Sequence, residues 1–173
     1  EDSIVLGENQ GWTLITNQLN LERAALGNLA ALKSLFDKTL DWAKTTPLDD
    51  GRVIDQPWVQ QALARVEAQV AAYTLMNLRV NASMSCSALG MGEASAAKVF
   101  GTELTQVVAR ELLEVLGQDG SRAGSAAPLR GDIERAYRLA VINTVGGGAN
   151  KSQREIIAMA GLGRRRPPRG MGA

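Results

Sequence analysis

The most constraining feature of the chain is a run of apolar residues at three- and four-residue spacing near its start. Trp12, Ile15, Leu19, Leu26 and Leu29 keep that rhythm, and Phe36 and Leu40 continue it with some drift. The spacing predicts an amphipathic helix. Asn9 is a candidate N-cap, and Lys44-Thr45-Thr46-Pro47 ends the run, because a residue before proline resists the α conformation. Such a helix has about 30 residues and is roughly 45 Å long. A rod of that length in a chain of 173 residues needs long partners, so the pattern points to an elongated helical bundle.

The partners are legible further along. Leu48-Asp49-Asp50-Gly51-Arg52 is a polar turn. A second helix is expected from Asp55, a candidate N-cap, through Pro57 in the first turn to about Ser85, with Trp58, Ala62, Val66, Val70 and Tyr73 on its apolar face. Residues 87–92 break the pattern. A third helix is expected from about Glu93 to Leu116, with Val99, Leu104, Val107, Val108, Leu112 and Val115 inward and Gly117 as its stop. Residues 118–131 read as loop. Short helices are expected over 132–143 and 150–160, on either side of Gly146-Gly147-Gly148. Strand alternation is visible only at residues 3–6, and there is no internal repeat. The expected fold is all-α and four-helix-bundle-like, with long antiparallel helices and short C-terminal ones.

Composition narrows the function. Nineteen Lys and Arg face 18 Asp and Glu, so the near-zero net charge argues against nucleic-acid binding. The absence of His excludes His-based triads and His metal ligands, and a lone Cys86 excludes internal disulfides and CxxC metal sites, so no metal is expected. The lone thiol fits a reducing, cytoplasmic setting. No apolar run approaches the roughly 18 residues of a membrane span, and no signal peptide is visible. The chain opens on Glu1 rather than Met, so a fragment or a processed product is expected.

Glu22 is the most informative residue. It falls mid-stripe among positions 12, 15, 19, 26 and 29, so it is expected to be at least partly buried. Burial disfavours the charged form, the condition under which a carboxylate serves as a general base near neutral pH. The alternatives are a buried ion pair with a neighbouring Arg, or a stripe with a wet edge. Gly146-Gly147-Gly148-Ala149-Asn150 precedes a helix and can offer backbone N–H groups to an anion or carbonyl oxygen. Its alternative reading is a flexible joint. Arg164, Arg165, Arg166 and Arg169 can touch phosphate or form a solvated tail. Lys98 and Arg138 read as solvated or ion-paired, and Cys86 has no His to activate it.

Taken in order, these segments resemble the C-terminal helical domain of the acyl-CoA dehydrogenases. Leu6-Gly7-Glu8-Asn9-Gln10-Gly11-Trp12 is similar to the family's LGExxxGW opening, and Leu19-Asn20-Leu21-Glu22-Arg23 to its LxxER segment. Ala94-Ser95-Ala96-Ala97-Lys98-Val99-Phe100 resembles ASMAK, with Ala96 in place of Met. Leu113-Glu114-Val115-Leu116-Gly117-Gln118-Asp119-Gly120 resembles QxxGGxG. Arg138 fits the Arg before the last family loop, and residues 146–154 occupy the position of YEGTSxIQR. The resemblance covers nearly the whole chain. It implies FAD as cofactor, an acyl-CoA thioester as substrate and α,β-dehydrogenation as the reaction. In the medium-chain type the base is the Glu of YEGTS, where this chain has Gly147. In the isovaleryl-CoA and long-chain types it is the Glu of LxxER, which is Glu22 here. By the same resemblance the Gly147 N–H binds the thioester carbonyl, and Arg23 shapes the local field.

The resemblance places Thr46, Glu114, Gly117, Gln118, Ala149 and Lys151 on the FAD side, and here the chain departs from the family pattern. Residues 44–51 contain neither the Arg nor the Phe-Gly of RxxFG. Glu114 replaces the Gln of QxxGG, Gln118 its second Gly, Ser121 the aromatic after the last Gly, and Ala149 the loop Thr. These changes bear on the cross-subunit half of the FAD site and leave the base position intact. They are similar to subunits of the heteromeric acyl-CoA dehydrogenases of actinobacterial steroid breakdown. Two functions stand: an enzyme domain with Glu22 as base, or a flavin-degenerate subunit that supports a catalytic partner. Either implies missing N-terminal and β domains, or a partner subunit, and a homo- or hetero-tetramer. The expected organisation is a linker over residues 1–8, a bundle over 9–162 and a basic tail over 163–173. The chain is not expected to be active alone.

Overall fold

A computed structural model describes residues 9–25, 28–86 and 88–165. The strand expected at residues 3–6, Leu26 of the first stripe, and Arg166 and Arg169 of the tail lie outside them. Among the described residues six α-helices carry the fold: α1 (Gly11–Ala25), α2 (Leu29–Thr45), α3 (Pro57–Ser85), α4 (Met91–Leu116), α5 (Asp132–Ala140) and α6 (Asn150–Ile156). The fold class is the expected one, an all-α bundle.

The single first helix of the sequence reading is two helices. Asn28 stands outside helical geometry at φ −64° and ψ 82°, and its side chain accepts from the Ala31 N–H, so it caps α2. Asn9 is not a cap. It sits at φ +62°, and the first bond of α1 runs from the Leu14 N–H to the Gln10 carbonyl. Asp55 is not the cap of α3 either; Gln56 takes that position, and the Asp55 carboxylate accepts from the Arg52 N–H at 2.9 Å. Between α2 and α3 lies a small antiparallel hairpin that strand alternation did not reveal, β1 (Pro47–Leu48) and β2 (Gly51–Arg52), turned at Asp49-Asp50.

Helix α4 is the axis of the molecule. It packs against α1, α2, α3, α5 and α6, and against the π-helical turn Ile157–Gly161. One core holds the centre together: Leu32 and Phe36 of α2, Leu63, Val66 and Tyr73 of α3, Leu104, Val108 and Leu112 of α4, and Ile133 of α5. Burying each such side chain contributes about 1.5–3 kcal/mol. On α3 the inward face begins at Val59, not Trp58, which is half exposed. Gly117, at φ +63°, ends α4 as expected. The N-terminal half of α4 is lined with small residues, Gly92, Ala94, Ser95, Ala97 and Gly101, all buried. That lets other backbones approach closely. A Cβ at Gly92 would lie 2.7 Å from the Gly161 backbone.

Helix α1 turns an unexpected face inward. Asn20 is buried and Thr16, Leu19 and Arg23 are half-buried, whereas Trp12 is 80% and Ile15 47% exposed. Trp12 and Ile15 of its apolar stripe therefore lie outside, and Leu19 alone of the stripe's described α1 residues joins the inward face with Thr16, Asn20 and Arg23. That orientation sets the site.

Candidate functional site

The site forms where α1, the N-terminal half of α4 and the Gly146-Gly147-Gly148 loop converge. Arg23 closes the last turn of α1. Its Nε donates to the Gly147 carbonyl at 3.1 Å and its Nη1 to Asn20 Oδ1 at 3.1 Å. Lys98 of α4 also reaches the loop. Its ammonium is wholly buried and donates to the Gly148 carbonyl at 2.8 Å, the Thr144 carbonyl at 3.2 Å and Asn150 Oδ1 at 2.5 Å. Lys98 is neither solvated nor ion-paired, contrary to the sequence expectation. Burial, with the Arg23 charge nearby, holds its pKa below the usual lysine range, and Glu103 opposes that.

Behind the loop, α4 and α6 are joined by polar pairs. Ser95 Oγ donates to Gln153 Oε1 at 2.9 Å, and Asn150 Nδ2 donates to Thr102 Oγ1 and to Glu103 Oε1, both at 3.1 Å. Arg154 Nη2 donates to both oxygens of Glu103 at 2.7 Å. Hydrogen bonds from Arg154 and Asn150 overcome partial burial and hold the Glu103 carboxyl below its ordinary pKa. Sequence reading missed this network. Its signal was matched spacing: 95, 98, 102 and 103 share one face of α4, and 150, 153 and 154 share one face of α6.

The loop's backbone N–H groups divide into paired and unpaired ones. The N–H groups of Val145 and Gly146 bond the Ile142 carbonyl, and that of Gly148 bonds the Val145 carbonyl. The N–H groups of Gly147 and Ala149 have no partner among the described residues. Gly147 sits at φ +66° and Gly148 at φ +102°, a region that disfavours side chains, and a Cβ on Gly148 would meet Gln153 Nε2. The loop is thus a clamped structure with free amide donors, not a loose joint.

Glu22 precedes Arg23, whose side chain reaches this loop, but the expected burial is not observed. It is exposed, with no hydrogen-bond or ion-pair partner among the described residues. The reason is the rotation of α1: positions 16, 19, 20 and 23 take the inward face and carry position 22 outward. A cleft of about 310 Å³ runs along the same helix, lined by Asn17, Asn20, Leu21, Met84 and Leu89, and Glu22 does not line it.

The remaining predicted residues fall into two groups. Ala149 precedes α6, its carbonyl accepting from the Gln153 N–H at 3.0 Å, and Lys151 is exposed in the first turn of α6, so both adjoin the loop. Glu114 sits at the other end of α4, 16 residues beyond Lys98 and about 24 Å away at the helical rise, and Gly117 and Gln118 follow just after that end. Glu114 and Gln118 are exposed there. Thr46 caps α2, its N–H on the Trp42 carbonyl at 2.8 Å and its own carbonyl on the Val53 N–H at 3.0 Å. Arg138 is ion-paired with Glu134, and Cys86 is free and exposed. No group of metal-ligating side chains occurs among the described residues.

Comparison gives the family. Residues 9–162 match the acyl-CoA dehydrogenase C-terminal domain, and the chain belongs to that family. It is 44% identical over 162 residues to acyl-CoA dehydrogenase FadE26 of Mycobacterium tuberculosis, covering 90% of this chain and 40% of that protein. The ChsE4-ChsE5 complex of Mycobacterium tuberculosis contains a similar chain, with a TM-score of 0.82 and 43% identity, covering 93% of this chain and 42% of that one. The Tcur3481-Tcur3483 steroid acyl-CoA dehydrogenase gives a TM-score of 0.82 and 37% identity, covering 92% of this chain and 41% of that one. The chain spans about two fifths of the length of the curated relatives it matches.

Proposed function

We propose that this chain is the C-terminal bundle domain of an FAD-dependent acyl-CoA dehydrogenase, in which Glu22 takes the α-proton of the thioester and the Gly147 N–H binds its carbonyl oxygen. The observation that carries this reading is the contact between Arg23 and the Gly147 carbonyl. It ties the turn that bears Glu22 to a loop with an unpaired N–H, so a proton acceptor and a carbonyl donor share one locus. As the α-proton leaves, negative charge grows on the carbonyl oxygen. An N–H aimed at that oxygen is worth about 10²–10³ in rate. The Arg23 and Lys98 charges at the loop favour the same charge.

The residues at the loop fit a flavin-bearing site: Ala149 offers a free N–H and Lys151 an exposed ammonium. FAD, when bound, supplies the acceptor for the β-hydride. At the far end Thr46, Gly117 and Gln118 would face the rest of the cofactor, whereas the exposed Glu114 carboxylate disfavours a phosphate beside it. That carboxylate favours a second reading, a flavin-degenerate subunit that supports a catalytic partner. The solved relatives named above carry paired names, which also suits a two-component assembly. Because one relative is described as a steroid enzyme, a steroid-bearing acyl-CoA is the proposed substrate class. The proposed organisation keeps residues 9–162 as the bundle, 1–8 as the segment leaving a preceding β domain and 163–173 as a basic tail, in a cytoplasmic tetramer.

The test uses the complete protein, with its partner subunit where there is one. The flavin spectrum is recorded, then its anaerobic bleaching by steroid-bearing and straight-chain acyl-CoA thioesters, with Glu22→Gln alongside. The catalytic reading predicts bound flavin, bleaching by wild type and none on the same timescale by Glu22→Gln. Absence of flavin, or equal bleaching by Glu22→Gln, sinks it in favour of the partner-subunit reading.

A further inference from the structure

A wholly buried lysine is rare unless something holds its charge. Lys98 donates to three oxygens, and two of them are loop carbonyls, those of Thr144 and Gly148. Arg23 takes a third loop carbonyl, that of Gly147, which Gln153 Nε2 also reaches at 3.4 Å. The Val145 carbonyl accepts from the Gly148 N–H. Every peptide unit from Thr144 to Ala149 is therefore held on at least one side except the one joining Gly146 to Gly147, which has no partner at either end among the described residues. That unit carries the Gly147 N–H.

We propose that Lys98 is a positioning residue, which together with Arg23 draws the Thr144, Gly147 and Gly148 carbonyls inward and so fixes the Gly147 N–H as the free donor of the loop. The geometry explains why a cation stands there. An ammonium has three donors and no acceptor, so it satisfies two carbonyls and Asn150 Oδ1 at once. Asn150 in turn is fixed by Thr102 and Glu103. A neutral side chain at this position strands buried carbonyl oxygens, which then recover partners only if the loop rotates. The role in turnover rests on the dehydrogenase reading above; the role in ordering the loop does not.

Two measurements on the complete protein separate these. The first is amide hydrogen exchange across residues 142–150 for wild type, Lys98→Met, Lys98→Gln and Arg23→Gln, with α3 as the internal control. Lys98→Gln keeps two donors without the charge. Arg23 ends a peripheral helix and is half-buried, so its replacement leaves the core intact should both Lys98 variants fail to fold. The proposal predicts faster loop exchange in each folded variant, with α3 unchanged. Loop exchange equal to wild type in any folded variant overturns it, whatever the activity. The second is the split between kcat and KM for flavin reduction by an acyl-CoA thioester that bleaches the wild type. Misplacing a donor by about 1 Å costs on the order of 10²-fold in rate. Lys98→Gln is expected to lose most of that in kcat with KM little changed. Equal kcat, or a loss confined to KM, contradicts the positioning role. Should wild type bleach with no thioester, the dehydrogenase reading fails, and the exchange data still decide the clamp.

Discussion

Glu103 shows how the polar cluster behind the loop responds to pH. Its folded-state pKa lies below the ordinary 4.5 because Arg154 and Asn150 hydrogen-bond the charged form. A depressed carboxylate contributes stability that is present above about pH 4.5 and is lost as pH falls through the folded value. The side chain is 41% exposed, so the contribution is below about 1 kcal/mol. Thermal melts between pH 3 and pH 7 are expected to show a shallower acid limb for Glu103→Gln than for wild type; an identical limb means that the pair with Arg154 does not stabilise the fold. The residues themselves were unevenly legible. Gly147 and Arg23 stood out through the resemblance, and the structure joins them. Lys98 did not, because a lysine on a helix is solvated by default, and only the matched spacing on α4 and α6 marks it as a buried partner. Glu22 was read as inward because periodicity identifies a stripe without saying what the stripe faces.

Helix α1 makes that last point physical. Its apolar positions 12 and 15 look outward, while α4 meets Asn20 and Arg23. A stripe counts as core only if the covering surface belongs to the same chain. Helices α3 and α4 bury most of their predicted stripes within this bundle, Val66, Val70 and Tyr73 on one and Val99, Leu104, Val108, Leu112 and Val115 on the other, while Trp58 stays half exposed. The division between α1 and α2 was hidden because Leu26 and Leu29 preserve the rhythm across it, and only the Asn28 cap shows where the second helix starts. Helix α4 makes two predictions at this scale. Leu112 is fully buried in the core, so Leu112→Ala is expected to cost about 2–5 kcal/mol in chemical denaturation. At Gly92 any Cβ meets the Gly161 backbone, so Gly92→Ala forces the turn at 157–161 away and costs about 1–3 kcal/mol. A loss under about 0.5 kcal/mol at either position contradicts the packing described.

At the molecular level, exposed apolar residues occur on several elements, among them the two that meet at the site. Trp12, Ile15 and Leu21 lie on α1, and Val141, Ile142 and Val145 just before the glycine loop, each at least 46% exposed. Contiguous exposed apolar surface would mark a place where something else binds. That agrees with a domain that completes its site only against the rest of a longer protein or a partner. No described helix is long and apolar enough to cross a membrane. The proposed chemistry has Glu22 and the Gly147 N–H act on one thioester. The most direct measurement is a crystal structure of the complete protein with an unreactive acyl-CoA analogue of a thioester that bleaches its flavin. The predicted result puts the thioester oxygen within hydrogen-bonding distance of the Gly147 N–H and the Glu22 carboxylate roughly 3–3.5 Å from the α-carbon. A thioester bound elsewhere, or a Glu22 carboxylate that still faces solvent with the ligand in place, would contradict it.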